Sequence, residues 1–404
     1  MIFQRHRSRA RRGGVPTTCR SFEISLVARI PSTLPRASFA MSHAWRSLLF
    51  GLEGWRHFLK SGYDAAAKSF DNACFERDLR GRVFVITGAN QGIGLETARR
   101  LALQRASVHM VCRDAARGEA ALSELRDEVR AAGKGDGDAL RLSVLDVSDQ
   151  RAVRAFCADY VASGAPVHAL VNNAGCMIHE RTHTEEGVET NFATNTLGAW
   201  ALTEGLLPAL RRTGRADVVG AEGANSSLVG DARVIFVASA GALTERLETT
   251  DVEMCPPRAF DGTRQYAKNK RQQLALVERW ARAEPDVGFF AMHPGWADTA
   301  ALRAAMPAFR DALAAKLRTP REGADTVAWL CVASRDDLKS GGFYLDRKIV
   351  SPHLGWGAGT RHEASATDAL VDTLGRALER ALGARANEKR AGDDRIGNAR
   401  DERC

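Results

Sequence analysis

Seven short runs rich in β-branched and aromatic residues, each separated from the next by room for a helix, constrain the fold of this chain more than any other feature. They are VFVIT (83–87), SVHMVC (107–112), LRLSVLD (140–146), HALVNN (168–173), ARVIFVAS (232–239), DVGFFAMH (286–293) and GGFYL (341–345). Parallel strands need a crossover of about a dozen or more residues, which these intervals supply. The pattern predicts an α/β fold over residues 81–350, one doubly wound parallel sheet of about seven strands with helices on both faces. Ligands are expected beyond the carboxyl ends of the strands.

The first run breaks into glycines and then becomes helical, as VITGANQGIGLE. Glycine permits positive φ and a close ligand, and a helix start offers free N–H groups to a phosphate. Taken alone, the cluster reads equally well as a tight turn. Its place after the first strand makes it a dinucleotide pyrophosphate site of the Rossmann type. An acidic residue about 20 positions on would hold the ribose hydroxyls of NAD. Here MVCRD sets Arg113 at the end of the second strand, where a guanidinium pairs with a 2′-phosphate, so NADP(H) is the preferred cofactor. Ordinary surface charge is the plain alternative for Arg113, and the adjacent Asp114 keeps NAD(H) open.

The segment TRQYAKNKRQQLALVERWA (263–281) carries Tyr266 and Lys270 four apart on an expected helix, hence on one face. A phenol ionises near pH 10, and a cation about 4 Å away contributes about 4 kcal/mol at an effective dielectric of about 20, or roughly three pKa units. The spacing therefore predicts that Lys270 lowers the pKa of Tyr266 toward that of an acid/base catalyst. Ser239 ends the strand VIFVAS, where it can donate to a substrate oxygen as charge grows during hydride transfer. A strand-terminal Ser is otherwise a turn residue. In NFATNTLGAWALT, Asn195 falls inside a buried helix, where an amide finds protein partners or holds a water. Asn172, Asn173, Ala174 and Gly175 end the fourth strand, which a turn explains as well.

In chain order, T-G-x-x-x-G-x-G (Thr87, Gly88, Gly92, Gly94), N-N-A-G (172–175), F-x-x-N-x-x-G (Phe192, Asn195, Gly198), a strand-end Ser239, Y-x-x-x-K (Tyr266, Lys270) and P-G-x-x-x-T (Pro294, Gly295, Thr299) resemble the motif series of the short-chain dehydrogenase/reductases. The resemblance covers about residues 44–350. It implies that Gly88, Gly92, Ile93 and Gly94 cradle the pyrophosphate, with Thr87, Asn90 and Gln91 beside them. It also implies that Asp146 and Val147 flank the adenine, and that Asn173, Ala174, Gly175, Pro294, Gly295 and Thr299 lie along the cofactor. Tyr266 becomes the acid/base, Lys270 its pKa-lowering partner, Ser239 the oxyanion donor and Asn195 the support of a relay water. The implied activity interconverts a carbonyl and an alcohol on a small lipophilic substrate with NADP(H). An NADP-binding regulatory or scaffold protein of the same fold is the alternative. The 27 residues from Ser239 to Tyr266 exceed the family's usual spacing, so the loop between them is expected to shape the pocket. Residues 176–187, 241–262 and 296–317 are expected to line its substrate end.

Composition narrows the partners. Of the formal net charge of +8, residues 1–40 hold eight Arg against one Glu, so the folded part is nearly neutral and a nucleic-acid footprint is not expected. That Arg-rich start reads either as a transit-like leader or as sequence upstream of a true start at Met41, the latter implying a cytoplasmic or peripheral membrane protein. In residues 45–59, Trp45, Leu48, Leu49, Leu52, Trp55 and Leu59 recur at helical spacing. This amphipathic helix either packs on its own domain or contacts a membrane surface. The eight cysteines show no metal-ligand spacing, and His179, His183 and Glu186 read as a solvated loop, so no metal is expected. Residues 213–231 read as an insertion, and 351–404 as a helix followed by a solvated tail over 385–404.

Overall fold

The computed structural model describes residues 43–216, 231–257, 259–355 and 359–391. Two helices lead, α1 (His43–His57) and α2 (Lys60–Ala67). The first half of the sheet follows as β1 (Val83–Thr87), α3 (Gly92–Ala102), β2 (Ser107–Cys112), α4 (Ala115–Ala131), β3 (Leu140–Val144), α5 (Gln150–Ala162) and β4 (Ala169–Asn172). A short α6 (Thr190–Phe192) runs through a π-helical turn (Ala193–Gly198) into α7 (Ala199–Ala216). Next come β5 (Ala232–Val237), a 3₁₀ turn (Ala240–Thr244), α8 (Gly262–Ala283) and β6 (Val287–Met292). The chain closes with α9 (Ala300–Ala305), α10 (Pro307–Leu313), α11 (Pro320–Val332), β7 (Phe343–Leu345), β8 (Lys348–Val350) and α12 (Ala364–Ala391).

The strands order as β3-β2-β1-β4-β5-β6-β7-β8, parallel throughout except for β8 against β7. The sequence order reverses between β1 and β4, which opens a crevice at their carboxyl ends. β4, β5 and β6 are buried along their whole length, as strands covered on both faces must be. One core contains Phe236 and Phe289, both stacked with Trp280 at centroid distances of 5.6 and 5.5 Å. A second core contains Leu101 of α3, Leu125 of α4 and Val327 of α11.

All seven expected strands are present, and an eighth adds to them. β7 and β8 form a hairpin in which Leu345 pairs with Lys348 across a two-residue loop, Asp346 (φ 49°) and Arg347 (φ 60°). Both residues occupy the left-handed region that such a turn requires, normally a place for Asn and Gly. Buried ion pairs hold them there. Asp346 accepts a fork from Arg318 at 2.6 and 2.9 Å, and Arg347 forks onto Asp325 at 2.7 and 2.8 Å.

The stretch expected as an insertion begins later than its composition suggested, since α7 reaches Ala216; residues 217–230 lie outside the described residues. So do residues 1–40. At the other end, α12 takes in the first part of the expected tail.

Candidate active site

Helix starts elsewhere in the sheet are closed by their own side chains. Asp114 caps α4, Asp149 caps α5 and Asp261 caps α8, while Thr319 and Glu322 form a capping box on α11. At α3 the cap residue Gln91 makes no side-chain bond, which leaves the first N–H groups of this helix open toward the crevice. Gly88 (φ 64°) and Gly92 (φ 57°) make the turn into it. A Cβ on Gly94 would clash with the Gly88 carbonyl, so the loop tolerates no side chain there. The fit to a dinucleotide pyrophosphate is therefore good, a bare helix dipole end behind a glycine turn.

The fourth-strand turn locks this loop. Asn173 Nδ2 donates to the carbonyls of Thr87 (2.8 Å) and Gly88 (3.1 Å). Thr87 Oγ1 accepts from the N–H groups of Asn173 and Ala174, each at 3.0 Å, and donates to Val171 O at 3.2 Å. Thr87 thus ties the turn together from outside the cavity, and Asn172 donates to Thr203 Oγ1 at 3.0 Å.

A cavity of about 560 Å³ opens at the switch point. Gly88 and the segment 90–93 form one side of it, Asn173, Ala174 and Gly175 the floor, and Pro294, Gly295 and Thr299 a third wall. Thr299 caps α9 by accepting from Leu302 N at 3.2 Å and packs against Gly92, while Gly295 (φ 75°) leaves room for the Arg318 guanidinium. Ser239, Tyr266 and Lys270 line the same cavity.

Tyr266 and Lys270 stand one turn apart on α8 as expected, but their electrostatics are reversed. Lys270 Nζ donates to Val237 O at 2.8 Å and lies 5.5 Å from the Tyr266 ring centroid. Burial pushes the Tyr266 phenol up to about 12, against which a hydrogen bond with Ser239 works in part. Burial likewise lowers Lys270 to about 8. The expected lowering of Tyr266 by Lys270 is thus corrected: desolvation dominates, and the phenol is a neutral proton donor across the ordinary pH range. Ser239 Oγ also accepts from Gly241 N at 3.1 Å, which caps the 3₁₀ turn.

Besides Thr87 and Gly94, four more expected residues lie outside the cavity lining. Asn195 is fully buried on the π turn, and its amide is spent on Cys176, accepting from the N–H at 2.9 Å and donating to the C=O at 2.8 Å. Its side-chain amide therefore holds the chain at Cys176, the first of the two uses expected for a buried amide there. Arg113 extends into solvent and meets Asp146, Nε to Oδ2 3.7 Å, at the ends of β2 and β3. Asp146 also accepts from Ser148 N and Oγ at 2.9 and 2.7 Å, while the Val147 carbonyl packs so closely on Gly198 that only glycine fits. Asp114 accepts from Arg117 N at 2.9 Å and pairs with Arg117 Nε at 3.1 Å.

The sequence did not mark α1 as part of this site. Its His43, Ser47 and Phe50 line the cavity, and Phe50 packs on Trp296 at 6.1 Å and on Phe58 at 5.8 Å. Arg46 is buried and donates to Thr244 O at 2.5 Å, and His43 meets Glu245 at 2.9 Å, so α1 grips the turn that follows Ser239. Helical periodicity signalled an apolar face but not its neighbour. In the loop expected to be solvated, His179 and His183 are exposed, His179 Nε2 bonding Ala305 O at 2.6 Å, but Glu186 is buried and accepts from Gln150 N (2.9 Å) and Arg151 N (3.1 Å). Among the described residues no group of three or more His, Cys, Asp or Glu is placed to hold a metal ion, and no helix is long and apolar enough to cross a membrane.

The chain belongs to the short-chain dehydrogenase/reductase family: residues 82–256 match the family model for short chain dehydrogenases, and the relatives cover most of the chain. It is an NAD(P)-dependent oxidoreductase of the class acting on CH–OH and C=O groups. The chain is 42% identical over 311 residues to human dehydrogenase/reductase SDR family member 12, covering 77% of this chain and 90% of that one. To mouse polyprenol dehydrogenase it is 34% identical over 283 residues, 67% of this chain and 78% of the relative. A solved structure of an uncharacterised protein from Mycobacterium paratuberculosis matches with a TM-score of 0.54 and 27% identity, covering 75% of this chain and 95% of that one.

Proposed function

We propose that the protein reduces a lipophilic carbonyl compound to its alcohol with NADPH, or runs the reverse. The observation that carries this reading is the sharing of one cavity by the glycine loop, by Ser239, Tyr266 and Lys270, and by an apolar end built from Phe50, Met177, Trp296, Met306 and Phe309. A substrate bound there exchanges apolar surface with water at about 25 cal/mol per Å². Its carbonyl oxygen takes hydrogen bonds from Ser239 and Tyr266, which stabilise the charge that develops on it. Bound NADPH supplies the hydride. Tyr266, neutral because burial holds its pKa high, gives the proton to that oxygen. Lys270, anchored to Val237 O, keeps a positive charge beneath the phenol at pH values below about 8.

The NADP(H) preference is supported by a division of labour at the end of β2. Asp114 is occupied as the cap of α4, whereas Arg113 reaches out past Asp146 with its guanidinium exposed, free to fork onto a 2′-phosphate. The outer face of α1 supports a peripheral membrane contact: Leu48, Leu52 and Trp55 are 53, 63 and 56% exposed, and Lys316 Nζ sits 4.3 Å from the Trp55 ring. That pairing of an amphipathic ring with a cation suits an anionic lipid boundary.

NADPH oxidation by the purified full chain, assayed against straight-chain aldehydes, retinaldehyde, polyprenals and steroid ketones, tests the reading. Turnover of at least one of these is expected. Tight NADPH binding with none of them reduced would replace it by a regulatory, cofactor-binding role.

A further inference from the structure

Asn191 and Asn195 stand four residues apart across the junction of α6 and the π turn, so both side chains leave the same face. Both are fully buried. Asn195 reads the peptide groups of Cys176 as described, and Asn191 repeats the pattern two residues on. It accepts from Ile178 N–H at 2.8 Å and donates to Ile178 C=O at 2.9 Å. Residues i and i+2 present their N–H and C=O groups to one side when the chain is extended, as a strand does to its ladder partner. The two amides thus stand in for a neighbouring strand along a segment the sheet does not reach, since β4 ends at Asn172.

That segment is a wall of the cavity. Cys176 and Met177 line it, the Ile178 carbonyl packs against Gly262 at the start of α8, and His179 bonds onto the end of α9. Asn195 grips the end beside the cofactor floor. Asn191 grips the end beyond Met177 that runs on to α8 and α9.

We propose that Asn191 is a positioning residue for the substrate, fixing the Cys176–Ile178 wall so that Met177 sets how bulky a carbonyl compound the site admits. This rests on the oxidoreductase reading above. Losing the clamp leaves the Ile178 N–H and C=O without partners, and such groups are costly to leave unmade, so the wall shifts to satisfy them. Asn191 touches neither the glycine loop nor Tyr266, so cofactor binding and the chemical step should be spared.

The test compares Asn191→Ala with the parent in the full chain, by amide hydrogen exchange and by NADPH oxidation with hexanal and with retinaldehyde. Exchange at Ile178 should quicken by at least about tenfold while β4 and α8 amides keep their protection. The ratio of KM values for the two aldehydes should change about tenfold, with kcat within about threefold and the NADPH dissociation constant within about twofold. Asn191→Asp keeps the acceptor for Ile178 N–H but sets an oxygen against the C=O, so it should restore the exchange protection and leave the KM ratio between those of parent and Ala variant. Unchanged Ile178 exchange overturns the proposal, as does an unchanged KM ratio or a parallel loss of kcat and NADPH affinity. A parent that reduces neither aldehyde overturns the proposed function and the substrate role with it, and the exchange result then speaks for the clamp alone.

Discussion

Lys270 lies one helical turn from Tyr266 yet donates a hydrogen bond to the Val237 carbonyl at 2.8 Å, leaving the phenol to be governed by burial. Tyr266→Phe should therefore remove the proton donor and lower kcat by about 10²-fold or more, with NADPH affinity retained. Stopped-flow NADPH oxidation and a fluorescence titration check both halves.

The pH profile should follow Lys270. Its pKa is lowered to about 8, so the ammonium is present below that value and lost above it, while Tyr266 at about 12 stays protonated. Carbonyl reduction is expected to be flat from about pH 6 to 7, to be about half lost near pH 8 and to fall beyond. A profile level to about pH 10 would remove Lys270 from the mechanism.

His293 should make the fold acid-sensitive. It is buried edge-on to Phe58 at 4.5 Å, and burial, with Arg318 nearby, lowers its pKa to about 3. Between about pH 6.5 and 3 the unfolded chain binds a proton that the folded one refuses, so the stability present above 6.5 is lost as pH falls. A shift of this size is worth up to about 4 to 5 kcal/mol, as an upper bound. Melting temperatures at pH 7 and pH 4.5 should converge in His293→Phe relative to the parent.

Arg113→Asp should raise the NADPH dissociation constant by at least about tenfold and bring NADH to parity or better, by placing repulsion where a 2′-phosphate would sit. Asp114→Ala should leave the preference alone and cost about 1 kcal/mol of stability through the lost helix cap. Paired dissociation constants decide it: a parent that already favours NADH would contradict the role given to Arg113.

The two faces of α1 should separate by mutation. Leu52→Ser with Trp55→Ser should reduce sedimentation with anionic liposomes and leave the melting temperature in place. Gly54→Ala, whose new Cβ would strike the Trp296 ring, should cost about 1–3 kcal/mol of stability. Equal loss of stability in both would show that the outer face is also packed.

Seven strands and the order of the site motifs were legible because β-branched runs and glycine spacing are local signals. β8 was hidden by its turn: Asp346 and Arg347 adopt positive φ with no glycine, held there by ion pairs that join residues far apart in sequence. Spacing likewise put Tyr266 beside Lys270 and got the sign of the phenol's pKa wrong, since the depth of burial cannot be read from a helix period. Glu186 was mistaken for a solvated residue because a carboxylate that caps another helix looks, in sequence, like any loop acid.

The wall that α1 contributes has a consequence for specificity that loops at strand ends do not share. It belongs to a segment that precedes β1 and enters no strand pairing, so its cavity-facing residues can be exchanged between relatives without disturbing the sheet, provided that the Arg46 and His43 contacts to the turn after Ser239 are kept. A chimera carrying a foreign α1 with Arg46 and His43 retained should keep its cofactor and its chemistry and acquire a new substrate profile, which makes α1 the natural handle for redesigning what the enzyme accepts.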